Sequence, residues 1–381
     1  TRLELLVRKA SGQSFTFRLD GSADYRTADR ITAVEAGQEV ARIHRAEADP
    51  QPGTDVTGRE IPVPADQQTE TTVGNNVESR EEPDGSRLVI ATAGGELKIQ
   101  NNQLSVEPGL TIKGDLDMRQ GNIRFPGPVT VSGSVLSGFF VMSGGDIQIG
   151  EAVEAALLSA EGNIHIKQGV KGGGKAFLRT KQAAAMSFAE QATIFAVQDI
   201  HVGGPLLRCT VKCNGRIRGS ADKTSIVGGE IRVRQGMEVA NIGADRAAGT
   251  HIHFGQDFLI EDRIEVEERE VEKLKTQVSK IDAEMKRIAG SNQAKLRKLF
   301  AEKAKRVKVL EKRGLRIFAL REKFEQHFSG DIIVRGTVFP GTVFESHGRT
   351  REIASPLKTV RIWFDVDTGR ILDEPIGKKD T

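Results

Sequence analysis

One feature restricts this chain more than any other. Along its middle a corner motif returns: Gly or a polar residue, then a small polar residue, then an aliphatic one. It appears as Gly114-Asp115-Leu116, Gly133-Ser134-Val135, Gly145-Asp146-Ile147, Gly162-Asn163-Ile164, Gln198-Asp199-Ile200, Asn214-Gly215-Arg216-Ile217 and Gly229-Glu230-Ile231. Ile147 to Ile164 is 17 residues, Ile164 to Ile200 is 36, and Ile200 to Ile217 is 17 again. The interval is therefore close to 17 or 18, with one degenerate copy between. The alternations Ile164-His165-Ile166, Ile200-His201-Val202 and Ile231-Arg232-Val233 give each copy a short strand. Strands at a fixed period with Gly-marked corners predict a β-solenoid, in which each coil buries its inward residues on the next. The aromatic content agrees with so narrow an interior, since 17 Phe accompany a single Trp and a single Tyr.

Residues 259–328 break this pattern. Gly nearly disappears and the apolar period changes to seven. Ile264, Val271, Val278 and Met285 form one series, and Leu274, Ile281 and Ile288 a second one offset by three. Ala289-Gly290-Ser291-Asn292-Gln293 then supplies a turn. A second seam follows with Leu296, Phe300, Val307, Leu310, Ile317 and Phe324, faulted at Lys303, Gly314 and Arg321, as the first is at Glu267. The expectation is an antiparallel, coiled-coil-like helical hairpin, each arm roughly 40 to 50 Å long at about 1.5 Å per residue.

The corner motif resumes directly afterwards at Gly330-Asp331-Ile332 and continues to Val338-Phe339-Pro340-Gly341, so the hairpin is an insertion between coils. Residues 358–373 read as a closing β-hairpin, with Val360, Ile362, Phe364 and Val366 alternating, which would cover the open end of the solenoid. Residues 1–108 lack the period and carry a Pro/Gly/Gln/Asp/Thr-rich stretch from Ala48 to Asn76, which suggests a small β-rich domain with long loops. The expected organisation is thus a β-rich domain over 1–108 and a parallel β-helix over 109–258 and 329–356. The helical hairpin occupies 259–328, and the closing hairpin and tail 357–381.

Several motifs could carry chemistry. Gly169-Val170-Lys171-Gly172-Gly173-Gly174-Lys175 has the spacing of a phosphate-binding loop, but Ala176 stands where a hydroxyl should bind magnesium and no strand-to-helix context surrounds it. Cys209 and Cys213 would point to one face of a strand with Val211, and zinc would need two further ligands that the spacing of His251 and His253 does not supply. Two small buried residues stacked on neighbouring coils is the plainer reading. Asp115, Asp146 and Asp199 hold equivalent corner positions, as the carboxylate column of a polysaccharide-acting β-helix enzyme would. Ser134, Asn163 and Arg216 interrupt that column, and Asp is an ordinary turn former. No catalytic residue, cofactor or metal ligand set is expected.

Charge is informative only locally. The total is 55 basic against 52 acidic residues. Between Lys280 and Arg313, however, twelve basic residues meet four acidic ones, a net +8, which leaves the remainder at −5. The candidate contact residues for a partner are Lys286, Arg287, Lys295, Arg297, Lys298, Lys303, Lys305, Arg306 and Lys308. Such an arm can meet an acidic protein, an anionic membrane or nucleic acid. A solvated helical surface is the plainer explanation, since no aromatic interleaving accompanies the charge. The base of the first arm is acidic, with Glu261, Asp262, Glu265, Glu267, Glu268, Glu270 and Glu272 expected to face the end of the second. Two cysteines and no apolar run of about 20 residues fit a cytoplasmic protein. The chain begins at Thr1, so the lack of a targeting segment carries little weight.

Taken in order, these segments resemble the flagellar assembly protein A family of bacterial β-solenoid proteins over nearly the whole chain. The resemblance rests on Gly37-Gln38-Glu39-Val40-Ala41, Gly53-Thr54-Asp55-Val56-Thr57-Gly58, Gly74-Asn75-Asn76-Val77 and Gly121-Asn122-Ile123-Arg124-Phe125-Pro126-Gly127. It continues through Gly162-Asn163-Ile164, Gly228-Gly229-Glu230-Ile231-Arg232, the charged helical pair and Phe339-Pro340-Gly341. The resemblance implies a mainly β fold built on a parallel, right-handed β-helix. It implies a non-enzymatic scaffold acting in flagellar assembly or polar organisation, cytoplasmic, at the cell pole or close to the membrane. Its partners would be flagellar or polar assembly factors, with no small-molecule substrate. The solenoid is also similar to that of bactofilins, whose bodies associate with copies of themselves, so a homo-oligomer enters the expectations.

Overall fold

The computed structural model describes residues 2–7, 16–17, 23–24, 31–44, 53–61, 71–245, 249–288 and 292–377. The expected tip turn at Ala289-Gly290-Ser291, parts of the Ala48–Asn76 stretch and the tail after Gly377 lie outside the described residues. The fold is mainly β: a parallel β-solenoid of about seven turns, two helices and a β-rich N-terminal region. Two compact units divide the chain, Thr1–Thr193 and Ile194–Thr381.

The first unit opens with two four-stranded sheets. In one, Arg2–Leu5, Glu39–His44, Arg87–Ala91 and Val77–Glu81 lie side by side, all antiparallel. In the other, Ala33–Val34, Gly95–Gln100, Gln103–Glu107 and Thr72–Val73 do so, the last pair parallel. Asn101 and Asn102, both at positive φ, make the two-residue turn between Gln100 and Gln103, a conformation that Asn tolerates better than other side chains. Both sheets feed one core, with Val40, Ile43 and Val89 from the first and Val34, Leu104 and Val106 from the second.

From Leu110 the chain coils. Inward residues stack in register, as Leu110, Val129, Ile147 and Ile164 on one face and Ile123, Val141, Leu158 and Leu178 on another. Alternation along each strand places every second residue inside, as in Ile147–Ile149 with Gln148 outward. Each fully buried aliphatic contributes on the order of 2 kcal/mol, so many short strands together replace one large core.

The glycine-rich phosphate-loop look-alike is absorbed here. Residues 169–175 lie within the 17-residue strand Ile164–Thr180, so no loop gathers backbone N–H groups around an anion. A Cβ at Gly169 would strike the Phe188 ring, and one at Gly172 the backbone of Gln191. These glycines answer to close packing between coils.

In the second unit inward residues stack as Val211, Ile231, Ile252 and Phe344, and as Ile200, Ile217, Met237 and Ile332. Both stacks run past the helices: Asp331–Val338 pairs parallel with Gly236–Val239, and Thr342–Ser346 with Thr250–Phe254. Cys209, Val211 and Cys213 share the inner face of one strand, Leu206–Cys213, and are not on neighbouring coils. Burial pushes the Cys213 thiol up to about 12, so it stays a protonated core group. Parallel pairing ends where Leu357–Asp365 turns antiparallel on Asp331–Val338 and folds back through Arg370–Pro375. Val360 and Ile362 are buried there, Phe364 is half-buried, and Val366 lies outside on the turn.

Candidate partner-binding arm

Phe254 ends the last strand before the arm, and Gly255, at positive φ, redirects the chain. Helix α1 (Phe258–Ile288) starts one residue after Asp257. The Asp257 carboxylate accepts the N–H groups of Leu259 and Ile260, capping α1, and also accepts Asn214 Nδ2 at 2.6 Å. Arg234 stands 3.5 Å away on the other oxygen. One turn further, Glu261 pairs with Arg232 and Asp262 with Lys212, both on solenoid strands. Burial opposes the charge of Arg232, but Glu261 and Glu230 outweigh it and hold its pKa raised. Phe258 packs edge-on against Phe324 at 6.4 Å between centroids.

Helix α2 (Gln293–Phe324) begins at Asn292, whose side chain accepts the Lys295 N–H at 3.0 Å. Its far end returns to the point of departure: Gln256 Nε2 donates to the Phe324 carbonyl at 3.2 Å, and the Phe328 N–H to the Gly255 carbonyl at 2.9 Å. The two ends of the insertion therefore meet at hydrogen-bond distance, which explains how a coil accepts it without losing register.

The helices run antiparallel. Glu284 pairs with Lys295, Asp282 with Lys303, Glu267 with Arg313 and Glu268 with Arg321, so residue numbers rise on one helix as they fall on the other. Seam positions on α1 are those expected: Ile264, Val271, Leu274, Val278, Ile281, Met285 and Ile288, with Glu267 among them. The α2 seam differs from expectation. Its less exposed residues follow Leu296, Leu299, Lys303, Arg306, Leu310, Arg313, Ile317, Leu320 and Phe324, a strict alternation of three and four, whereas Phe300 is 55% exposed. Taking Phe300 for a seam residue rested on its apolarity, whereas Val307 is half-buried at the seam's edge. Three cationic residues hold the places instead, because their long stems cover the seam while their charges find acids.

Glu267 is the most buried of those acids, its side chain 11% exposed, with Arg313 at 2.5 Å and Arg316 at 3.2 Å. Of the acidic base, then, Glu267 and Glu268 face α2 as expected, but Glu261 and Asp262 turn to the solenoid. Glu270 and Glu272 pair with Lys273 and Lys275 on their own helix.

The candidate contact residues separate into two groups. Lys295, Lys303 and Arg306 are engaged inside the arm, with Glu284, Asp282, Gln277 and Glu302. Lys286, Arg287, Arg297, Lys298, Lys305 and Lys308 are exposed, and among the described residues none of them forms an ion pair. Among the described residues no helix is long and apolar enough to cross a membrane.

Away from the arm, the corner carboxylates are occupied. Asp115 accepts the Ser134 N–H at 2.7 Å, Asp146 that of Asn163 at 2.6 Å and Asp199 that of Arg216 at 2.8 Å. Burial alone would raise the Asp199 pKa, but the Arg216 N–H and the Arg218 guanidinium hold it lowered. In the N-terminal region Asp55 closes the turn of the hairpin Gly53–Thr54/Glu60–Ile61, accepting from Thr57 and Arg59, and leaves Val56 fully exposed at its tip.

Comparison with known proteins places these features together. The Flagellar Assembly Protein A beta solenoid domain matches residues 108–371, and the Flagellar Assembly Protein A N-terminal region matches residues 1–102. No curated protein and no solved structure matches the chain. With both regions matched in order over nearly its full length, the chain belongs to the flagellar assembly protein A family.

Proposed function

We propose that this protein is a non-enzymatic scaffold of flagellar assembly or polar organisation. In this reading the solenoid is a rigid platform and the helical arm presents a basic surface to a protein partner, in the cytoplasm, at the pole or close to the membrane. The division at residues 108, 258, 329 and 357 is taken as functional: an N-terminal domain, a platform, an inserted arm and a closing hairpin. The heptad spacing of both helices supports a short coiled coil.

A single observation carries the reading. The arm is anchored at its root by Asp257, Glu261 and Asp262 on solenoid cations, while its exposed distal cations form no ion pair among the described residues. An anchored lever with uncommitted charge at its far end suits the recruitment of an acidic surface. The occupied corner carboxylates favour structure over the alternative of a polysaccharide-acting enzyme.

The test is removal of residues 258–324 with a short Gly/Ser joint between Asp257 and Glu325. Because Gly255 and Phe328 already touch, the remaining chain should keep its β circular dichroism and cooperative unfolding while losing partners in pull-downs from native lysate. Retention of the same partners by the shortened protein would refute the arm's role. Light scattering reads self-association in the same samples.

A further inference from the structure

Helix α2 carries a second line of residues, mostly apolar, that the described residues leave largely exposed. Phe300, Ala304, Val307, Glu311, Gly314 and Phe318 are spaced four and three residues apart in alternation, so they follow one side of the helix, about a quarter turn from the seam that packs on α1. Phe300 is 55% and Phe318 70% exposed, and Leu315 beside them is 73% exposed. Val307 is half-buried at the edge of the inner seam. A solvated helix has no use for two exposed phenylalanines on one line.

Gly314 sharpens the point. It sits in the middle of α2, where Gly weakens a helix, and a Cβ built on it meets nothing within 4 Å. Among the described residues, no neighbour requires the missing side chain. Together with Ala304 it makes a low stretch of surface where another backbone can come close, between the ridges of Phe300 and Phe318.

The rim decides the occupant. Arg297, Lys308 and Lys312 flank the line and are exposed. A second copy of α2 would bring the same cations against them. An anionic membrane would match the charge, but Glu311 lies in the middle of the line and small residues offer little to insert. We infer that this face docks an amphipathic α-helix from another protein, apolar along its contact line and acidic along its flanks. The inference rests on the proposal that the arm is the partner-facing element, and adds the partner's chemistry and register.

The probes are two designed helical peptides of about four heptads, identical along an Ile/Leu line and carrying either Glu or Lys at the flanking positions, titrated against the full-length chain by fluorescence anisotropy. The Glu-flanked peptide is expected to bind with an affinity that falls as salt rises, and the Lys-flanked one to bind at least about tenfold more weakly. Phe300→Glu/Phe318→Glu should lose at least about tenfold. Gly314→Ala should lose roughly fivefold, by hindering close approach, while the helical melt of the free protein does not fall.

Equal binding of the two peptides, or binding of neither, overturns the inference. So does a dimer in sedimentation that Phe300→Glu/Phe318→Glu dissolves, which would assign the face to a second copy. Capture by phosphatidylserine vesicles that the same pair abolishes would assign it to a membrane and overturn it equally. If removal of the arm abolishes lysate partners but the Phe pair variant retains them all, this inference fails and the arm's role stands. If the arm can be removed without loss of partners, the underlying reading fails first.

Discussion

The Asp146 carboxylate accepts the backbone N–H of Asn163 at 2.6 Å, one coil further along. Asp115 with Ser134 and Asp199 with Arg216 repeat this rung at separations of 19 and 17 residues. In each case the residue before the donor is Gly, and a Cβ on Gly133, Gly162 or Gly215 would collide with the carboxylate oxygen below it. The amide form recurs across the arm, where Asn241 Oδ1 accepts the Thr337 N–H at 2.9 Å and Gly336 gives the same clearance. At Gly133, Gly162, Gly215 and Gly336, none of which lies at positive φ, Gly is thus required by the neighbour one coil away and not by the residue's own backbone.

Gly162→Ala is expected to destabilise the solenoid by about 2–3 kcal/mol through overpacking, and Asp146→Ala by about 1–2 kcal/mol through the lost acceptor. The two should be less than additive, since the second removes part of the obstacle the first creates. Urea unfolding of both single variants and the double reads the coupling. Full additivity would show that the pair does not act as a unit.

Glu267→Gln should lower the thermal midpoint of the helical signal at 222 nm, with a loss of about 2–4 kcal/mol for leaving Arg313 half-buried and unpaired. Glu267→Leu/Arg313→Leu should be nearly neutral, because an apolar pair satisfies the seam without desolvating charge. If the double variant is as unstable as the single one, the ion pair is a stabilising contact in its own right and not a device that sets register.

Reversing Arg297, Lys298, Lys305 and Lys308 to Glu should leave the arm folded and weaken partner association about five- to tenfold at low salt, with the difference shrinking as ionic strength rises. Reversing Lys295, Lys303 and Arg306 should instead unfold the arm at lower temperature, because those three hold Glu284, Asp282 and Glu302. Equal effects of the two sets on melting would contradict the separation into free and engaged cations.

The arm root should loosen in mild acid. His347 stacks on Phe364 at 4.6 Å and lies 5.3 Å from His327, and burial lowers the pKa of both. Burial also lowers His253, which stands between Glu230 and Glu345. Because the folded values lie below the ordinary 6.5, an opened root takes up protons first. Stability is full above that pH and declines as pH falls below it toward the folded values. The protection factor of the Phe328 amide, taken relative to the intrinsic exchange rate at each pH, should therefore fall between about pH 7 and pH 5, and His327→Phe/His347→Phe should flatten most of the change. A pH-independent protection factor in the unaltered protein would refute this.

Much of the architecture was legible in the residues. Val211, Ile231 and Ile252 advertised the stacked coils by alternation, and Ile264 through Ile288 advertised α1 by a seven-residue period. The α2 seam was less legible: apolarity pointed to Phe300, while the structure sets Lys303, Arg306 and Arg313 half-buried in the seam. A long cationic side chain can lie in a seam if an acid on the other helix receives its charge, and that acid sits in a distant part of the chain. The sorting of the tip cations was invisible for the same reason.

By itself the sequence determined local periods, and hence coils, helices, their order and the place of the insertion, because side-chain alternation and turn formation depend on residues close along the chain. Only the tertiary structure decided which charges were spent. Glu261 and Asp262 went to the solenoid, Glu267 to the seam, and Arg297 and Lys308 to neither. Those outcomes depend on distances between groups separated by tens of residues, which no single period records.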